Sequence, residues 1–259
     1  MCAMTNGASS AVSNNLDPDS TGRVTLFLTR HGRTTANSMR LMQGWSDFPL
    51  TKEGREGVRR FGRGLRGVHF VSAWSGNLTR HYDTAREALD ASGQKDLRIQ
   101  VDPDLREDNF GSYEGRDEIE TLTTVCNYMG YESRDQLREA KGRMISAYMQ
   151  DAFHRLDLEN PLGTDLAPED RAETTEQVLT RMKRALTGIG EDALARGGGN
   201  VLVVSSGMSL QQFLITLGDD IDVPDMANTS VTKVAYANGR FSLAGPLASM
   251  EYFQAGGEE

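Results

Sequence analysis

The stretch "VTLFLTRHGRT" (Val24–Thr34) runs an alternating apolar segment directly into Arg-His-Gly-Arg. Val24–Thr29 has the two-residue period and the β-branched composition of a strand. Directly after it an imidazole, His31, stands between the guanidiniums of Arg30 and Arg33. A neighbouring cation disfavours the imidazolium, so His31 is expected to stay neutral. A neutral ring beside fixed positive charge is suited to attack an anion, and a phosphoryl group is the obvious one. Taken alone, the stretch reads equally well as a strand end carrying an ordinary surface histidine, so the rest of the chain has to decide.

Working outward, Leu50 to about Leu65 ("LTKEGREGVRRFGRGL") predicts a helix. Thr51 is its candidate N-cap, and Leu50, Val58, Phe61 and Leu65 recur at roughly helical spacing. "HFVSAW" (His69–Trp74) reads as a second strand and Leu78–Leu89 as a second helix. "RIQV" (Arg98–Val101) makes a short third strand, stopped by Asp102-Pro103. From Ser112 to about Asp170 the β signal vanishes and helical patterns take over. A helical stripe then passes through Val178, Met182, Ala185, Ile189 and Ala193. "VLVVSS" (Val201–Ser206) is fully apolar until its serines, as strands buried in parallel sheets are. "VTKVAY" and "RFSLAG" flank Asn238-Gly239, a hairpin signal.

Strands alternating with helices predict an α/β protein. The expected form is a three-layer α/β/α sandwich with a mostly parallel central sheet and a helical insertion over its active-site edge. The domain plan is a flexible N-terminal extension over 1–22, one α/β domain over 23–250 with a cap at about 112–170, and a polar tail over 251–259.

The 259 residues are 38% hydrophobic and carry a formal charge of −9. That acidity argues against nonspecific binding to nucleic acid or acidic membranes, though a local arginine cluster can still hold a small anion. No apolar run approaches the roughly 20 residues of a spanning helix. The N-terminus lacks a basic start followed by an apolar block, so a cytoplasmic location is the expectation. Cys2 and Cys126 lie far apart and no Cys/His ligand cluster appears, so neither a disulfide framework nor a metal site is expected. "GRGLRG" (Gly62–Gly67) matches a dinucleotide-type glycine pattern, but it ends a helix instead of following a strand and is set aside.

In open α/β sheets, ligands sit beyond the carboxyl ends of the strands. Arg30-His31-Gly32, Ser75-Gly76-Asn77 and Ser206-Gly207 all follow strands, and their convergence is the argument for a pocket there. Gly32 lets the backbone pass close to a bound group. Thr34 and Asn37 add neutral donors. Arg80 stands in the first turn of its helix, where a guanidinium can join the helix-end donors around a phosphate. Glu107 is the candidate acid for a leaving oxygen, with Asp108 and Glu114 as rivals and pairing with Arg106 as its ordinary reading.

Assembled in order, "TRHGRTTAN", "QGWSDFPLTKEG", "SGNLTRHYDTA", "LREDNFGSYEG" and "VLVVSSGMSL" resemble the histidine phosphatase superfamily, also called the phosphoglycerate mutase-like family. The resemblance runs from Val24 to about Leu217. It implies a phosphate-accepting His31, phosphoryl oxygens held by Arg30 and Arg80 with help from Asn37, and proton donation by Glu107. Ser206 and Gly207 would complete the phosphate site, with no cofactor.

One position departs from the family pattern. Ser206 stands where the family carries a second histidine that helps bind the phosphoryl group. Losing one charge-assisted hydrogen bond costs about 1.5–3 kcal/mol, or roughly 10- to 150-fold in rate. Three accounts follow: a slowed phosphatase, a phosphate-ester-binding pseudo-enzyme, or an engineered change in an active enzyme. His81 is a remote substitute for the missing ring and His154 a weaker one. The insertion lacks the basic, proline-rich segment associated with cofactor-dependent mutases. Hydrolysis of a small phosphomonoester metabolite is therefore the favoured expectation, with the mutase reaction as the alternative. A homodimer is compatible with the sequence.

Overall fold

Residues 22–257 are described by the computed structural model of the chain, so most of the extension expected over 1–22, Cys2 included, lies outside the described residues. In chain order the elements are β1 (Val24–Arg30), α1 (Thr35–Met39), α2 (Lys52–Gly64), β2 (Phe70–Ser75), α3 (Thr79–Ser92) and β3 (Ile99–Val101). Then come α4 (Glu118–Tyr128), α5 (Arg134–Lys141), α6 (Ile145–Glu159), α7 (Thr175–Ala195), β4 (Gly199–Ser205), α8 (Gly207–Leu214), β5 (Val231–Ala237), β6 (Arg240–Leu243) and α9 (Glu251–Ala255).

The strands form one sheet in the order β3-β2-β4-β1-β5-β6. Its first four strands run parallel, and β5 and β6 are antiparallel additions. β4 is central because Val201, Leu202, Val203 and Val204 are all fully buried, so its two faces serve two cores. On one face, Phe27, Leu202 and Val204 pack against Val58, Phe61 and Leu65 of α2 and Ala85 and Leu89 of α3. On the other, Leu26, Leu28, Val201 and Val203 meet Val178, Met182 and Ile189 of α7 and Phe213 of α8. Each such buried side chain contributes roughly 1.5–3 kcal/mol. The result is a three-layer α/β/α sandwich with a mostly parallel sheet.

Local chemistry explains the ends of these elements. Thr51 accepts from Gly54 N and so caps α2. At the β5–β6 hairpin, Asn238 and Gly239 both take positive φ, as a two-residue turn between twisted strands requires. Helices α4, α5 and α6 carry a separate core of Phe110, Val125, Leu137, Ile145, Met149 and Phe153. The first of them starts at Glu118, not at Ser112. Ser112 belongs to a short turn (Gly111–Tyr113) and donates to the buried Asp157 carboxylate.

The expected polar tail over 251–259 is corrected at its start. Glu251–Ala255 folds as α9, with Tyr252 only 5% exposed and Arg60 of α2 stacked on the Phe253 ring. Two aromatic anchors dock this single turn, which is too short to announce itself by periodicity. Among the described residues no helix is long and apolar enough to cross a membrane.

Candidate active site

Beyond the carboxyl ends of β1 and β4 lies a cavity of about 290 Å³ lined by Arg30, His31, Asn37, Glu107 and Gly207, among others. His31 follows the last residue of β1, and its amide donates to Ser205 O on β4 at 3.0 Å. Its ring is 2% exposed, and Nδ1 lies 2.8 Å from Gly32 O. A carbonyl can only accept, so Nδ1 carries the proton and Nε2 keeps its lone pair. Burial, and then the charges of Arg80 and Arg30, hold His31 well below the ordinary histidine range. The ring is therefore neutral at pH 7 with a fixed tautomer. Gly32 is required here, because a Cβ on it would lie 2.5 Å from Val58 Cγ2.

Arg80 is fully buried at the start of α3. It donates to Ser46 O at 2.9 Å and to Gly44 O at 2.6 Å. Burial lowers its pKa to about 10, which still leaves it charged at neutral pH. Arg30 donates to Met226 O, while Nε of both arginines is buried without a protein partner. Buried donors normally find an acceptor, so the unpaired Nε–H of Arg30, which lines the cavity, fits an oxyanion guest, while Arg80 stands close enough for its charge to act on the His31 ring.

Asn37 accepts from Thr34 N at 3.2 Å and from Asn228 Nδ2 at 3.4 Å, both through its carbonyl oxygen, which leaves its amide protons for the cavity. Thr34 is the N-cap of α1 in a capping box with Asn37, so its role is to place that side chain.

The three candidate acids separate cleanly. Glu107 faces the cavity and accepts from Asp108 N, Met208 N and Ser209 N at 3.1, 3.0 and 2.7 Å. Asp108 is fully buried outside the cavity and accepts from Gln212; burial pushes its pKa well up. Glu114 accepts from the amides of Gly44, Trp45, Ser46 and Phe110 and shapes the loop whose carbonyls hold Arg80. Arg106 does not pair with Glu107; it bonds Asn77 and stacks on Trp45. His154 bonds Ala172 O at 2.6 Å and does not line the cavity.

Ser206 is buried at the start of α8, and its hydroxyl lies 2.7 Å from Nε2 of His81. The ring of His81 sits beside that of His31, with centroids 5.6 Å apart. Gly207 lines the cavity, where a Cβ would come no nearer than 3.5 Å to Arg30 Nε. Among the described residues no group of three or more His, Cys, Asp or Glu is arranged to hold a metal ion. The arginines that line the cavity are Arg30 and Arg134.

The sequence model of the histidine phosphatase superfamily (branch 1) matches residues 26–147 and 129–246. The chain belongs to that superfamily. Its relatives include both mutases and phosphatases. The chain is 36% identical over 118 residues to a 2,3-bisphosphoglycerate-dependent phosphoglycerate mutase 2 of Gloeobacter violaceus, a match over 46% of this chain and 52% of that protein. It thus spans about half the length of that relative. It is 28% identical over 205 residues to fructose-2,6-bisphosphatase TIGAR B of Danio rerio, covering 76% of this chain and 75% of the relative. The crystal structure of a phosphoglycerate mutase from Bacillus anthracis superposes with a TM-score of 0.81 at 31% identity, over 92% of this chain and 99% of that one.

Two residues of this candidate site escape a reading by motif. Arg181, buried on α7, donates to the carbonyls of Asp104, Arg106 and Glu107 and fixes the strand of chain that presents Glu107. Gln43 lines the cavity and accepts from the Thr34 hydroxyl at 2.6 Å. An isolated arginine on an amphipathic helix and a glutamine in a loop carry no spacing signal that marks them out.

Proposed function

We propose that this chain is a phosphomonoester hydrolase working through a phosphohistidine on Nε2 of His31. One observation carries the reading: a neutral imidazole with its Nδ1 proton tied to Gly32 O, lining one cavity with Arg30, whose Nε–H is unpaired, and under the charge of the buried Arg80. Nε2 attacks phosphorus in line as the ester P–O bond breaks. Arg30 and Arg80 take up the charge on the equatorial oxygens, with Asn37 as a neutral donor. The Glu107 carboxyl gives its proton to the departing alkoxide oxygen. The resulting carboxylate takes a proton from water as that water attacks phosphorus and the N–P bond breaks. Phosphate leaves, with His31 neutral and Glu107 protonated again.

The cavity wall supports hydrolysis of an ester with an apolar body over exchange on phosphoglycerate. Met42, Phe110, Leu122, Ile145, Met149 and Met208 line it, along with the carboxylates of Glu118 and Asp225. Arg134 also lines it, but Asp225 engages both of its terminal nitrogens, at 3.1 and 2.8 Å. A second anionic group on the substrate would meet apolar surface and like charge.

The test is release of phosphate from an aryl or alkyl monophosphate, set against interconversion of 2- and 3-phosphoglycerate. A kcat/KM at least tenfold higher for the apolar ester is expected. Efficient interconversion with no net phosphate release would establish the mutase reading, and tight ester binding without turnover the non-catalytic one.

A further inference from the structure

Ser206 is the N-cap of α8, yet its side chain makes no capping bond. A serine at that position ordinarily turns its oxygen onto the amide of the second or third helical residue. In α8 those amides belong to Met208 and Ser209, and both donate to the Glu107 carboxylate. Glu107 has taken over the cap and freed the Ser206 hydroxyl. Among the described residues that hydroxyl bonds only Nε2 of His81.

The state of His81 follows from its surroundings. The ring is fully buried, and burial, the Arg80 charge and His31 hold its pKa well below the ordinary range, so it carries one ring proton. Nδ1 has no partner and faces Gly76, where a Cβ would lie 2.2 Å away. A buried lone pair without a partner is cheaper than an orphaned N–H, so the proton sits on Nε2 and is donated to Ser206 Oγ. The hydroxyl proton is then left without an acceptor from the protein. The strand register brings it level with His31, because Arg30 pairs with Ser205 across β1 and β4 and the next two residues are His31 and Ser206.

The geometry points to His81 and Ser206 acting as a single neutral donor, in which His81 orients Ser206 so that its O–H is given to an oxygen of the phosphoryl group carried by His31. The inference rests on the phosphohistidine reading above. The second imidazole expected beside the phosphate is present after all, but α3 supplies it where β4 would have, and it works through a serine. His81 is a positioning residue in this arrangement, while Ser206 touches the reacting group. Nothing moves except hydrogen-bond polarisation: no proton changes owner and no bond forms. Gly76 serves the same end by leaving room for the ring.

The experiment is steady-state hydrolysis of an aryl phosphate by H81F, S206A and the double variant, with H81Q and H31A alongside and thermal unfolding of each. H81F keeps the ring's bulk without its N–H, and S206A removes the donor itself. Each is expected to lower kcat about 10- to 100-fold with KM changed less than about threefold, and the double variant to be no slower than the worse single one. H81Q, which retains an N–H donor, is expected to recover most of the lost turnover, a rescue that a purely packing role for His81 would not produce. Native kcat in H81F or S206A, losses that multiply in the double variant, or an H81Q as slow as H81F would each overturn the pair. Turnover abolished in H31A but intact in H81F removes the pair alone; turnover that survives H31A removes the phosphohistidine reading and the pair with it.

Discussion

The sheet edge and the helical cap are built by opposite means. At the edge, His31, Arg80, Glu107 and Ser206 are buried and tied mostly to backbone atoms of the sheet and the loops around it. In the cap, α5 and the turn that follows it reach the rest of the molecule through buried Leu137, through Arg143 donating to the carbonyls of Ile215 and Gly218, and through exposed ion pairs, Arg134 and Arg138 to Asp225 and Arg143 to Asp219. Exposed pairs of this kind contribute about 0–1 kcal/mol each and weaken with salt. One region is tied almost wholly by buried hydrogen bonds, and the other owes part of its attachment to exposed pairs that cost little to break. On the proposed function, phosphoryl chemistry, which depends on positioning, falls to the first, and choice of the ester's organic part to the second. Damage at the edge should therefore fall on kcat, and damage in the cap on KM.

The largest breaks are at the edge. H31A removes the nitrogen proposed to attack, and a loss of about 10⁴-fold or more in kcat on an aryl phosphate is expected. E107Q is expected to cost about 10²–10⁴-fold on an alkyl phosphate, whose leaving oxygen needs a proton, and clearly less on a nitrophenyl ester, whose leaving group does not. Equal losses on the two esters would deny Glu107 the proton transfer. S206H in the native background is expected to slow the protein, because His81 already stands 2.7 Å from the Ser206 hydroxyl and a second ring has nowhere to go. Pairing S206H with H81A makes the room, and turnover above that of S206H alone is the expected outcome.

How much of this was legible beforehand follows from the same division. The edge residues are legible because each stands directly after a strand or in a helix's first turn, so placing the strands places Arg30, His31, Arg80 and Ser206 together. The two-face burial of "VLVVS" is legible for the same reason, since a run apolar at every position fits only a central strand. Glu107 could be singled out, but its separation from Glu114 and Asp108 could not. All three are loop carboxylates, and only the fold reveals that Glu114 collects four backbone amides. His81 reads from the sequence only as a remote substitute, because a helical neighbour of Arg80 usually points elsewhere. Adjacent residues on a helix diverge by about 100°, and here that divergence carries the ring under His31, because Gly76 leaves space for it. The cap's helices were legible as a class, yet their contacts were not, since exposed Arg–Asp pairs follow tertiary placement and have no sequence period.

Between the extremes lie two effects on the frame. E114A strips the acceptor from the 44–46 amides, and the loop that cages Arg80 loosens. A loss of about 2–4 kcal/mol in unfolding free energy is expected, with KM and kcat both impaired, checked by denaturant unfolding beside kinetics. The buried rings set the acid behaviour. His31 and His81 both titrate well below an unfolded histidine, so as pH falls the unfolded chain takes up protons first. Their contribution to stability is complete above about pH 6.5 and is lost below it, by up to about 1.4 kcal/mol per pH unit for each ring. The same shift keeps His31 neutral in mild acid, so the acid limb of kcat/KM should fall below pH 6 and not at the ordinary histidine value. Thermal midpoints that do not change between pH 7 and 5 would contradict both assignments.

The smallest effect tests the cap. Arg134 faces the cavity and spans to Asp225, the residue before Met226, whose carbonyl takes the Arg30 guanidinium. R134A breaks that span but leaves Arg30, His31 and Arg80 their own partners. The cost in stability should stay below about 1 kcal/mol, as for other exposed pairs. Asp225 keeps only Arg138 as its ion-pair partner, so its charge on the cavity wall is less fully offset and KM for a phosphate dianion should rise about two- to fivefold while kcat stays within twofold. D225N acts in the reverse sense: it leaves Arg134 free and should lower KM for substrates bearing a second anionic group. Because the added attraction is exposed, raising the salt from 50 to 500 mM should erase most of that gain. If R134A instead lowered kcat tenfold with KM unchanged, the cap would be part of the catalytic frame and the division between the two regions would fail.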